Sequence, residues 1–151
     1  MPETVQPQTG EVTDARDLEL VPFNLAAMDE DALLALFPSE VQAAGALIKA
    51  RQASSRVPAA LNQRREELRS AERALTVQLG LAVRDLAAEL PRATLTERRM
   101  IAATDPRVIA AQERRDDAWL LLEYTRDWER AIARDIDILR SLNANFRGER
   151  K

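Results

Sequence analysis

The sequence predicts an all-α protein, a long antiparallel and coiled-coil-like helical hairpin that assembles into a homo-oligomer behind an acidic N-terminal arm. Three observations predict it. From Pro106 onward the chain meets no proline, and no glycine before Gly148, while apolar residues recur at helical spacing. Between Ala59 and Pro91, Leu61, Leu68, Leu75, Leu79, Ala82, Leu86 and Leu90 follow one another at heptad-like steps. Hydrophobic residues make up 46% and charged ones 31%, but aromatic residues only 4%, so the core must come from Ala, Leu, Ile and Val. No strand signal competes anywhere, and no repeat of domain-building length is present.

Taken in order, residues 1–18 are polar and acidic and contain two prolines and a glycine, a composition that predicts disorder. Asp29 then caps a short amphipathic helix carrying Leu33, Leu34, Leu36 and Phe37, and Pro38 ends it. Those four apolar residues predict either a clasp on the body or a motif for a partner's groove. The domain boundary therefore falls between an arm, 1–37, and a hairpin domain, 38–151. Ser39 and Glu40 open the first long arm, with Val41, Ala44, Leu47 and Ile48 at helical spacing. Ser54, Ser55 and Pro58 predict a kink or restart within it. After Pro91, the Thr94-x-x-Glu97 spacing predicts a capping box and a short helical turn through Met100 and Ile101.

The second arm is the most informative stretch. Asp105 is placed as its N-cap and Pro106 at its first position, where a missing N–H costs nothing. Its length, about 60 Å at 1.5 Å per residue, demands a long partner. Val108, Ala111, Ala118, Leu121, Leu122, Trp128, Ile132, Ile136, Leu139 and Leu142 form one apolar line. Leu120, Tyr124, Ala131 and Ile138 form a second, and a helix apolar on two faces is buried on two sides. This predicts a subunit interface through Trp119, Leu122, Tyr124, Trp128, Ile132, Ile136 and Leu139.

Charge points to a polyanion. Residues 1–40 carry nine acids and one base, net −8, whereas residues 41–151 carry 21 bases and 16 acids, net +5. Arg65, Arg69 and Arg73, spaced i, i+4, i+8, share one face of the first arm. Arg98 and Arg99 form a pair at the hairpin tip, and paired guanidinium groups grip phosphates. The acidic arm could compete with a polyanion for these arginines. The chain has no His and no Cys, so it cannot build His- or Cys-ligated metal sites or imidazole acid–base steps within one copy. Its four glycines are scattered and form no phosphate loop. The acids lie among arginines at helix-surface spacing, the pattern of a solvated face. These features predict a protein that is not an enzyme and takes no cofactor or metal. No 18-residue apolar run or secretory signal is present, which predicts no membrane association.

Residues 97–147 resemble the UvsY-type recombination mediators of tailed bacteriophages. The resemblance rests on Glu97, Met100-Ile101, Asp105, Val108, Trp119 with Leu121-Leu122, Ile132, Ile136, Leu139-Arg140, and Phe146 ahead of Gly148. It covers about a third of the chain. It implies a helical, ring-forming protein that binds single-stranded DNA and helps a RecA-like recombinase displace the single-strand-binding protein. It also implies residence in the cytoplasm of a bacterial host. The family's basic Lys-x-Arg motif has no matching pair here, and Arg69, Arg73 and Arg84 stand nearest to it by position. The rival expectation is a helical scaffold or adaptor in a phage particle or other assembly, with no DNA role.

Overall fold

A computed structural model describes residues 3–5, 12–14 and 22–149. Two short strands, β1 (Glu3–Val5) and β2 (Val12–Asp14), pair antiparallel with Thr4 opposite Thr13 and Val5 opposite Val12. These residues correct the expectation of disorder, at those positions, and the absence of a strand signal. Their Val and Thr residues are β-branched and suit a ladder. The remainder of 1–18 lies outside the described residues.

From Pro22 on the chain is helical. A 3₁₀ turn (Leu25–Ala27) leads to α1 (Glu30–Leu36), α2 (Glu40–Glu89), α3 (Leu95–Ala102) and α4 (Pro106–Glu149). The boundaries follow local chemistry. Asp29 caps α1 by accepting from the Ala32 N–H at 2.8 Å. Thr94 and Glu97 close the reciprocal capping box of α3. Asp105 accepts from the Arg107 N–H at 2.9 Å and so caps α4. Gly148 does not end α4, which continues to Glu149.

Pro58 does not break α2, contrary to expectation. A proline frees the carbonyl four residues back. Here Ser54 and Pro58 are exposed, so that carbonyl can be solvated. The opposite face carries Ala53, Val57 and Leu61, all buried at i, i+4, i+8, and this packing holds the helix through the fault.

The chain forms two compact units, one of residues 1–60 with 125–151 and one of 61–124. In the first unit Leu25, Phe37, Ala43, Ala46, Leu47, Ala50, Leu139 and Leu142 form the core, with Leu33, Ile136, Ile138 and Phe146 against it. The inward face of α2 is mostly alanine here, whereas Val41 (80% exposed) and Ile48 point outward. Small side chains let α2 and α4 approach closely enough for the buried Asn143 amide to donate to the Ala43 carbonyl at 3.3 Å. In the second unit Ala82, Ala102 and Val108 are buried among Leu75, Leu79, Val83 and Leu86.

The first unit is pinned by one buried carboxylate. Asp135 is 1% exposed and accepts from the Phe23 N–H at 2.8 Å and the Leu25 N–H at 2.9 Å. Between these two amides Asn24 adopts the left-handed conformation at φ 58°, which asparagine tolerates better than most residues. The turn aims both N–H groups at the carboxylate and drives Leu25 to 0% exposure. Phe23 then meets Phe37 edge-on, ring centroids 6.2 Å apart. Of the four apolar residues at α1, Phe37 is buried and Leu33 half-buried against this core, while Leu34 and Leu36 stay exposed.

Replacing Asp135 with Ala removes both acceptors and strands a buried amide. The variant should lose on the order of 3 kcal/mol of stability in urea unfolding, with hydrogen exchange accelerated first at Phe23 and Leu25. A loss under about 0.5 kcal/mol, the range of neutral surface changes, would mean that the pin is dispensable.

Candidate nucleic-acid interface

The basic candidates all fall in the unit 61–124, whose eleven arginines are matched by eleven acids. Net charge therefore decides nothing here; the local pairing of each arginine does. Arg64 pairs with Glu67 at 3.0 Å and Arg115 with Asp116 at 3.3 Å. Arg107 bridges Asp105 and Asp85, each at 3.0 Å. Arg98 donates to the carbonyls of Leu90 and Pro91, satisfying acceptors left open where α2 ends. Arg98 thus serves the chain's own fold, a role its tip position did not suggest. Arg84 lies 3.7 Å from Asp85 in a loose contact.

Arg65, Arg69, Arg73 and Arg99 differ from these. All four are exposed, and among the described residues none enters an ion pair. Arg65, Arg69 and Arg73 span about 12 Å of α2 at 1.5 Å per residue. Arg69 and Arg73 line a shallow surface groove with Glu72, Thr76 and Val77. The Thr76 hydroxyl donates to the Glu72 carbonyl at 3.0 Å. Such a row offers several guanidinium forks to a phosphate chain, with two exposed acids, Glu66 and Glu72, set among them.

The expected interface residues divide into two sets. Leu122, Ile132 and Leu139 are buried within the single chain, and Trp128 and Ile136 are half-buried. Leu139, with Ile136 packed against it, belongs to the core that α4 shares with the alanines of α2. Of the second line, Ala131 is buried and Ile138 packs against the first unit's core. Trp119 (45% exposed) and Tyr124 (57%) stay outside, together with Ile109, Leu120 and Leu121. Ile109, Leu120 and Tyr124 fall on one side of α4, since steps of 11 and 4 residues return to nearly the same angle. The expected inward position of Leu121 is also corrected: it lies at the rim of a groove with Glu67, Ser70, Ala71, Arg114, Asp117 and Ala118.

Among the described residues no group of His, Cys, Asp or Glu is arranged to hold a metal ion, and no single helix is long and apolar enough to cross a membrane. Compared with known protein families, curated proteins and solved structures, the chain matches none of them.

The cap of α4 carries a pH signature. Hydrogen bonds from the Arg107 side chain and backbone hold the Asp105 carboxyl below its ordinary 3.8, and the same pairing, with Asp85, raises Arg107. A lowered carboxyl means that the folded state prefers the ionised form. Its contribution is present above the ordinary value and disappears as pH falls through the lowered one. Asp105→Asn, which keeps a capping oxygen but no charge, should melt below wild type at neutral pH. That gap should close as pH drops below 3.8, and a gap that widens toward acid contradicts this assignment.

Proposed function

We propose that this protein is a non-enzymatic, single-stranded DNA-binding recombination mediator that works as a helical homo-oligomer. The single observation that carries the DNA role is the row Arg65, Arg69 and Arg73, exposed and outside every ion pair among the described residues, in a unit where Arg64, Arg98, Arg107 and Arg115 are engaged. Unpaired guanidinium groups along one face attract a phosphate chain and release its counterions. The likeness of residues 97–147 to the UvsY type supports the further step, loading a RecA-like recombinase against the single-strand-binding protein.

In this reading α2 and α4 form an antiparallel pair. Two contacts inside the unit 61–124 support that arrangement: Arg107 meets Asp85, and α4 residues 114–121 share a groove with α2 residues 67–71. As α2 is followed backward, α4 runs forward. The outward residues Ile109, Leu120 and Tyr124 are the surface for a second copy, since clustered exposed apolar side chains mark interaction sites. The same cluster favours the scaffold reading, in which the protein self-assembles and ignores DNA.

Changing Arg65, Arg69 and Arg73 together to Gln should weaken single-stranded DNA binding at least roughly tenfold at moderate salt, because each site loses a phosphate contact. Melting temperature and mass in solution should not move, since exposed substitutions shift stability by only about 0.5 kcal/mol. Unchanged affinity would remove this row from the DNA site and leave the exposed Arg92, Arg99 and Arg114 as alternatives.

Changing Leu120 and Tyr124 to Ser should lower the mass measured by light scattering toward that of one chain, with helical content retained. A wild-type protein that is already monomeric at micromolar concentration would contradict the assembly. Assembly without any DNA binding would favour the scaffold.

A further inference from the structure

Each unit presents one surface that nothing among the described residues covers, and the two match each other in chemistry. The first is a groove of about 460 Å³ in the first unit, walled by Leu33 of α1 and by Ile138 and Leu142 of α4. Glu30 and Asp137, both exposed, also line it, as does Ser141. Residues 22–40 contain four acids and no base, so the α1 side offers nothing to neutralise these carboxylates. On α4 the base nearest by helical position is Arg134, one turn before Ile138, and it is not among the lining residues. The second surface belongs to α3, which joins α2 to α4. Leu95, Thr96, Arg99, Met100 and Ala103 follow at i, i+1, i+4, i+5 and i+8, which puts them on one helical face, and all five are exposed. Met100 is 70% exposed and Leu95 54%. The other two charges of α3 are occupied, Glu97 in the capping box and Arg98 on the Leu90 and Pro91 carbonyls. Arg99 enters no ion pair among the described residues.

We propose that the exposed face of α3 on one copy docks in the α1–α4 groove of a second copy. This rests on the homo-oligomer reading above and adds a second contact to it. Leu95 and Met100 supply two apolar anchors on one face of a short helix, the mode in which a helix is held in an apolar groove. Arg99 lies between them on that face and meets Glu30 and Asp137, so a cation on one surface answers two acids on the other. The two surfaces are unlike, so the contact is heterologous and joins copies head to tail rather than about a twofold axis. It uses few side chains and is too small to hold two proteins together by itself. It therefore closes between copies that Leu120 and Tyr124 already hold, where the local concentration reaches about millimolar.

The test uses the full-length chain. Arg99→Glu, and separately Glu30→Gln with Asp137→Arg, should lower the mass measured by light scattering to a smaller species that still exceeds one chain, with the melting temperature unchanged. Combining all three changes in one chain should restore the wild-type mass, because opposite charges then face each other again. The chain contains no cysteine, so single cysteines give a second readout. Met100→Cys mixed with Ser141→Cys should yield a disulfide-linked dimer with one copy of each. Its yield should be several-fold above that of Met100→Cys mixed with Thr76→Cys, an exposed position outside the groove. Equal yields overturn the contact, and so does a combined variant that stays small. If the charge reversals leave the mass unchanged while the Leu120 and Tyr124 changes lower it, the docking is overturned and the assembly reading stands. If a chain carrying both cysteines closes the disulfide within itself and the mixed single variants do not link, α3 docks on its own copy and the proposal is overturned. If wild type is monomeric, both readings fall together.

Discussion

The buried carboxylate of Asp135 is the constraint on which the first unit depends. A carboxylate withdrawn from water is tolerable only when its oxygens are hydrogen-bonded, and here the partners are two backbone amides more than a hundred residues earlier in sequence. Those amides converge only because Asn24 accepts a left-handed turn. Once they are held, Leu25 seals the core and Phe23 reaches Phe37, so α1 is fastened to that core. Asn143 repeats the logic two turns further along α4, where its amide bonds the Ala43 and Leu139 carbonyls. Polar groups at such positions penalise any register in which they lose their partners.

The alanine-rich interior has a second consequence. Ala43, Ala46, Ala50, Ala53, Ala71, Ala82, Ala102, Ala111 and Ala118 fill buried positions that larger residues would occupy in a wider bundle. Helices that approach on alanine bury little area per residue. The larger side chains Val41, Ile48, Trp119, Leu120 and Tyr124 remain on the surface. The protein thus combines an interior lined largely by alanine with several large apolar side chains on its surface.

Much of this architecture was legible in the sequence, for identifiable reasons. Caps at Asp29, Thr94 and Asp105 are local chemistry and fixed three helix starts. Helical spacing gave the inward line of α4 correctly for Val108, Ala111, Ala118, Leu122, Ile132, Leu139 and Leu142. Periodicity failed where size and context decide. It placed Val41 and Ile48 with Leu47, yet alanines took the buried face. It read Pro58 as a break, although packing on the far side of the helix outweighed one lost hydrogen bond. The pin was missed altogether, because acids were taken as solvated. A signal existed: Asp135 stands three residues after Ile132 and four before Leu139, squarely on the apolar line. At the candidate site, the arginine row was readable from spacing alone. Which arginines are already engaged was not, since Arg98 and Arg107 find partners that only the folded chain brings near.

Function, in this account, rests on electrostatics confined to one face rather than on net charge, and such an interaction has a characteristic dependence on ionic strength. The most direct measurement is the affinity of the wild-type chain for a single-stranded oligonucleotide across a range of salt concentrations. Three phosphate contacts, each worth about 0.7 in the logarithmic slope for single strands, predict a straight line of slope about −2. A slope near zero, or no binding at low salt, would contradict the claim that these arginines form a polyanion site.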